Sequence, residues 1–162
     1  MELVVGDAAR AYEVVAEGRE ALMASAETGY LATVVGYLAQ VALVLGRDDE
    51  TLRLADETRE LAAADDFEPI ARAQFVRAQV LARRGDFTGA DELIASAGEL
   101  VDHTDWLMLR REHSCARAEV ARLAGRPGEQ RDALEHALSL AEAKGNVAAA
   151  DRDRAALASL GS

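Results

Sequence analysis

Apolar residues return every three or four positions along most of the chain, as in Leu93, Ile94, Ala97, Leu100 and Val101. That spacing gives a helix one apolar face. Alternating runs of β-branched residues are scarce, so strands are not expected. Short polar or glycine-containing stretches interrupt the pattern, and between them it predicts helices near 7–27, 30–45, 47–64, 68–84, 86–102, 106–124, 128–144 and 147–160.

The interruptions recur. "VVGD", "VLGR", "RRGD" and "LAGR" place Gly6, Gly46, Gly85 and Gly125 at intervals of 40, 39 and 40 residues. "LAQV", "RAQV" and "RAEV" put Ala39, Ala78 and Ala118 seven residues before the last three glycines. A second set of breaks precedes Tyr30, Phe67, Trp106 and Val147, so each period holds two helices. A fixed interval with matching small residues marks a repeat architecture. Gly46, Gly85, Gly125 and Gly145 fall just past helix ends, where a left-handed cap suits glycine. Pro69 and Pro127 fall in first turns, and Asp86 and Asp105 are placed to cap the helices that follow them.

These residues resemble the tetratricopeptide (TPR) repeat. The best copy is Ala78, Gly85, Phe87, Ala90 and Ala97, with Phe87 expected to plug the turn. Further copies are Ala118, Gly125 and Ala137, and Ala39, Gly46 and Thr58. Small residues there let paired helices approach closely, and a bulky side chain would overpack the contact by about 1–3 kcal/mol. The chain departs from the family in its longer period, against about 34 residues. It also lacks the closing proline, with Ala63, Asp102 and Glu142 at those positions, and carries Asp48 and Pro127 where Phe87 stands in the best copy. The resemblance implies a right-handed superhelical array of antiparallel helix pairs, all-α, forming one domain over residues 1–162. The long period is similar to the C-terminal arrays of large actinobacterial signalling ATPases, cyclase-linked proteins and transcriptional activators. "MELVV" matches the end of a first helix whose beginning is missing, so the chain is expected to be part of a longer protein.

Charge narrows the partners. A net charge of −11 and a pI near 4.7 disfavour a nucleic-acid surface or docking on anionic lipid. The apolar run from Tyr30 to Gly46 is shorter than the roughly 20 residues a bilayer needs and contains Gln40. One cysteine, Cys115, allows no internal disulfide, and no signal-peptide pattern opens the chain, so a cytoplasmic location is expected. Phosphate loops, dinucleotide fingerprints, nucleophile elbows and zinc-spaced His/Cys sets do not appear, so neither catalysis nor a metal or cofactor is expected. His103, His113 and His136 are read as structural or solvent-facing. Cys115 matches Phe75 and Gly36 in the repeat, which points it toward an inner groove, and nothing nearby obviously lowers its pKa.

A helical array offers a concave face instead. The TPR resemblance implies that it is lined by Thr33, Gly36, Gln40 and Leu43, then Arg72, Phe75, Gln79 and Arg83, then Glu112, Cys115, Glu119 and Arg122. The expected partner-binding set is Gln40, Arg72, Phe75, Gln79, Arg83, Glu112, Glu119 and Arg122. In it the arginines hold carboxylates of a peptide or protein segment and the glutamines bond its backbone. Two other readings use the same chain. A small ligand could occupy an apolar cup of Tyr37, Leu43 and Phe75, or two copies could associate through the helix from Leu31 to Leu45.

Overall fold

A computed structural model describes residues 7–25 and 29–161. Among them are eight helices and no strand. The helices are α1 (Ala8–Ala24), α2 (Leu31–Val44), α3 (Asp48–Leu61), α4 (Phe67–Arg83), α5 (Phe87–Val101), α6 (Leu107–Leu123), α7 (Pro127–Lys144) and α8 (Val147–Ser159). Each expected helix is present, with ends within a few residues. Gly6 and "MELVV" lie outside the described residues. The chain divides into two compact units, Met1–Val80 and Leu81–Ser162, with the division inside α4.

The joints are built alike. Gly46, Gly85, Gly125 and Gly145 all have positive φ, between 69° and 84°. After each glycine, the next residue's N–H donates to a carbonyl five residues back: Arg47 to Ala42, Asp86 to Leu81, Arg126 to Ala121 and Asn146 to Ala141. This bond ends a helix and satisfies one of its orphan carbonyls. Asp86 then caps α5 by accepting from Gly89 N–H at 3.0 Å, as expected. Asp105 does not cap α6 with its side chain. Its backbone carbonyl accepts from Leu107, while the Thr104 hydroxyl accepts from Trp106 N–H. Phe87 also differs from expectation: it is the first residue of α5 and is 36% exposed, so it does not plug the turn.

In the first unit, α2 lies between α1 and α3 in sequence and packs on both. Leu31, Val35, Leu38 and Ala42 of α2 meet Leu54 and Ala55 of α3 and Val76 and Val80 of α4, with Tyr12 and Val15 of α1 against them. Nine of the fourteen residues of α2 are buried here. Self-association through this helix therefore loses its surface, because the apolar side chains already fill the unit's own core. In the second unit α6 packs on α5 and α7, and α7 on α8. Small residues hold these contacts: Ala90, Ala97 and Ala137 are fully buried and Ala118 nearly so.

Polar side chains link helices two apart in sequence. Tyr12 donates to Glu50 and Arg19 to Glu57, Thr33 to Glu68, Arg126 to Asp91, and Arg111 to Asp153. Their sequence separations run from 35 to 42 residues, about one period. Equivalent helices of successive repeats thus lie side by side within each unit, the nearest-neighbour pattern of repeat proteins.

Candidate functional site

Arg72 was expected on an open groove, and the structure places it inside the first unit at 6% exposure. Glu68 precedes it by one helical turn, the favourable order for such a pair. Arg72 Nε donates to Glu68 Oε1 at 2.6 Å, and Nη1 donates to Gln40 Oε1 at 3.4 Å. The guanidinium lies 4.4 Å from the centre of the Tyr37 ring, within cation–π range. Thr33 donates to the other Glu68 oxygen. This network fixes α4 against α2. It leaves Arg72 and Gln40 holding each other, so the expectation that Arg72 receives a peptide carboxylate is corrected.

Phe75 is corrected for the same reason. Ala71, Phe75, Ala78 and Ala82 lie on one side of α4, and that side is buried, with Phe75 at 2%. Leu43 is buried too and Tyr37 carries the Arg72 guanidinium, so the expected apolar cup is packed interior. Gln79 is half-buried and donates from Nε2 to its own helix at Phe75 O. Arg83 is exposed in the last turn of α4.

In the second unit, Glu112 is half-buried, and Glu119 and Arg122 face solvent as a bidentate pair at 2.7 and 2.8 Å. Exposed pairs of this kind exchange partners at little energetic cost, about 0–1 kcal/mol. Cys115 sits beside the Arg111–Asp153 pair, its sulfur 4.0 Å from Asp153 Oδ1. Burial pushes its thiol up to about 11 from an ordinary 9.0. Two pH units less acidity leave roughly a hundredfold less thiolate at neutral pH. Iodoacetamide is accordingly expected to label the folded chain about a hundredfold more slowly than the urea-unfolded chain. Equal rates would contradict this burial.

Sequence reasoning gave His113 no specific role. It lies on the face of α6 turned toward α5, where its Nε2 is 2.9 Å from the Ile94 carbonyl. Gly98 makes room for the ring: a Cβ there would lie 3.2 Å from His113 Cε1. The ring borders a cavity of about 400 Å³ that also touches Asp91, Asp102 and Arg117. Burial holds the imidazole below its ordinary 6.5. Arg117 and His136 add to this, and the Ile94 carbonyl and Asp102 oppose it. The unfolded chain therefore takes up a proton at higher pH than the folded one, so stability is lost as pH falls through 6.5 toward the folded value. Thermal midpoints compared between pH 7.5 and 5.5 are expected to fall more for the wild type than for His113→Gln, which keeps a donor for Ile94. Parallel curves would exclude His113 as the cause.

Among the described residues no group of three or more His, Cys, Asp or Glu side chains is placed to hold a metal ion, and no helix is long and apolar enough to cross a membrane. Of the expected partner-binding residues, Gln40, Gln79, Arg83, Glu112, Glu119 and Arg122 keep some exposure, and Arg72 and Phe75 belong to the interior. Comparison with protein-family models, curated proteins and solved structures finds none that matches this chain.

Proposed function

We propose that this chain is a non-catalytic interaction module, the regulatory tail of a bacterial signalling or transcription-regulating protein, that binds a peptide or protein segment on its helix faces. The observation that carries the reading is the set of one-period links, Arg19–Glu57, Thr33–Glu68, Arg126–Asp91 and Arg111–Asp153, which stack equivalent helices side by side. Such stacking presents helix faces to solvent in rows, the surface that repeat proteins use for recognition. Surface charge supports a protein partner over nucleic acid, since a −11 chain repels phosphate.

The reading is tested by display selection of random twelve-residue peptides against the purified chain. Enriched peptides are expected to bind the wild type, and Arg83→Glu or Arg122→Glu, each alone, is expected to weaken them about tenfold, or ~1.4 kcal/mol. An absence of enriched peptides would overturn it.

A further inference from the structure

Six arginines are buried or half-buried: Arg19, Arg72, Arg77, Arg110, Arg111 and Arg126. Five of them are paired with a carboxylate, namely Glu57, Glu68, Asp56, Asp153 and Asp91 respectively. Arg110 is the exception. Its Nε is enclosed and has no hydrogen-bond partner, as is also true of Arg19 and Arg126, but among the described residues Arg110 alone of the six has a guanidinium that meets no carboxylate within ion-pair distance. In a chain with 29 acidic and 18 basic residues, a half-buried arginine left without an acid is against the odds of composition.

Its neighbours have the character of a protein-binding face. Arg110 and Arg117 lie two turns apart on one side of α6, with His113 between them reaching over to the Ile94 carbonyl of α5. Arg117 is exposed and likewise has no ion-pair partner among the described residues. Trp106, four residues before Arg110, is 54% exposed. Tryptophan and arginine are the residue types that most often dominate binding energy at interfaces. Glu99 and Asp102 of α5 border the same cavity as Arg117, so they oppose an acidic ligand at that end and leave Arg110 as the stronger anchor.

We propose that Trp106, Arg110 and Arg117 form a docking face on α6 for an acidic, partly apolar segment of a partner protein. The inference rests on the interaction reading above but uses a different face from Glu112, Glu119 and Arg122. Arg110 and Arg117 are seven residues apart, about 10.5 Å along a helix. Two acidic residues three positions apart on an extended segment span about 10 Å and match that distance. One carboxylate meets the terminal nitrogens of Arg110, the second meets Arg117, and an apolar side chain covers the indole.

The single tryptophan makes its own reporter. The probe is a ten-residue Gly/Ser peptide with two glutamates three positions apart and a leucine beside each, titrated at 0.15 M salt while Trp106 emission is followed. Saturable change is expected, with affinity at least tenfold weaker for the glutamine version of the peptide and for Arg110→Met, and an intermediate loss for Arg110→Lys. Arg110→Met is expected to fold with unchanged or higher thermal stability, because it removes an enclosed Nε donor that lacks a partner. Equal binding of the glutamate and glutamine peptides, wild-type affinity in Arg110→Met, no emission change, or unfolding of Arg110→Met would each overturn the proposal. Selected peptides that respond to Arg122→Glu but not to Arg110→Met would leave the interaction module standing and sink this face alone.

Discussion

Asp153→Ala is expected to destabilise the second unit by about 3–5 kcal/mol, the loss typical when one partner of a buried ion pair is removed. Asp153 is 3% exposed on α8, and both its oxygens accept from Arg111 of α6, at 2.6 and 2.8 Å. Alanine would leave the Arg111 guanidinium enclosed beside Cys115 with its countercharge gone. The pair itself is not the source of the stability. Replacing both residues by apolar ones of similar volume, Arg111→Met with Asp153→Leu, is expected to be neutral or stabilising by about 1–4 kcal/mol. Urea denaturation followed by circular dichroism measures both. A loss below about 1 kcal/mol for Asp153→Ala would mean that the pair is open to water.

Phe75→Ala is expected to cost about 3–5 kcal/mol, because it removes a large buried side chain and leaves a cavity. Phe75 is among the largest fully buried side chains. Phe75→Leu, which keeps most of the volume, is expected to retain most of the stability. The comparison separates a core residue from a groove residue. A groove phenylalanine could be truncated with little effect on unfolding while weakening a bound peptide. Denaturation midpoints that barely move on Phe75→Ala would return Phe75 to the groove.

Helix positions were legible in the sequence because they depend on local signals. Apolar spacing marked the helices, and glycine at the joints marked their ends; four of those glycines carry the positive φ that the pattern requires. The buried small residues, such as Ala78, Ala90 and Ala97, were legible for the same reason, since close helix pairs need them. The direction in which polar residues point was not legible. Arg72 and Gln40 lie on the first helices of successive repeats, and from sequence both read as lining a groove. Their inward turn depends on Glu68 and Tyr37, which no periodicity singles out. Asp105 shows the same limit at short range: a residue of the right type before a helix lost the cap because Thr104 and the backbone took those bonds. Arg110 was passed over because an unpaired arginine looks no different from a paired one until its neighbours are placed.

The corrections concentrate the functional reading on what stays at the surface. Arg72 and Phe75 hold the first unit together, and the exposed Glu119–Arg122 pair and the face carrying Trp106 and Arg110 belong to α6. Amide hydrogen exchange of the chain with and without a display-selected peptide tests the interaction module most directly. The account predicts slowed exchange within α6, Leu107–Leu123, with the core helix α2, Leu31–Val44, unchanged. Protection confined to α2, or no protection anywhere at saturating peptide, would contradict it.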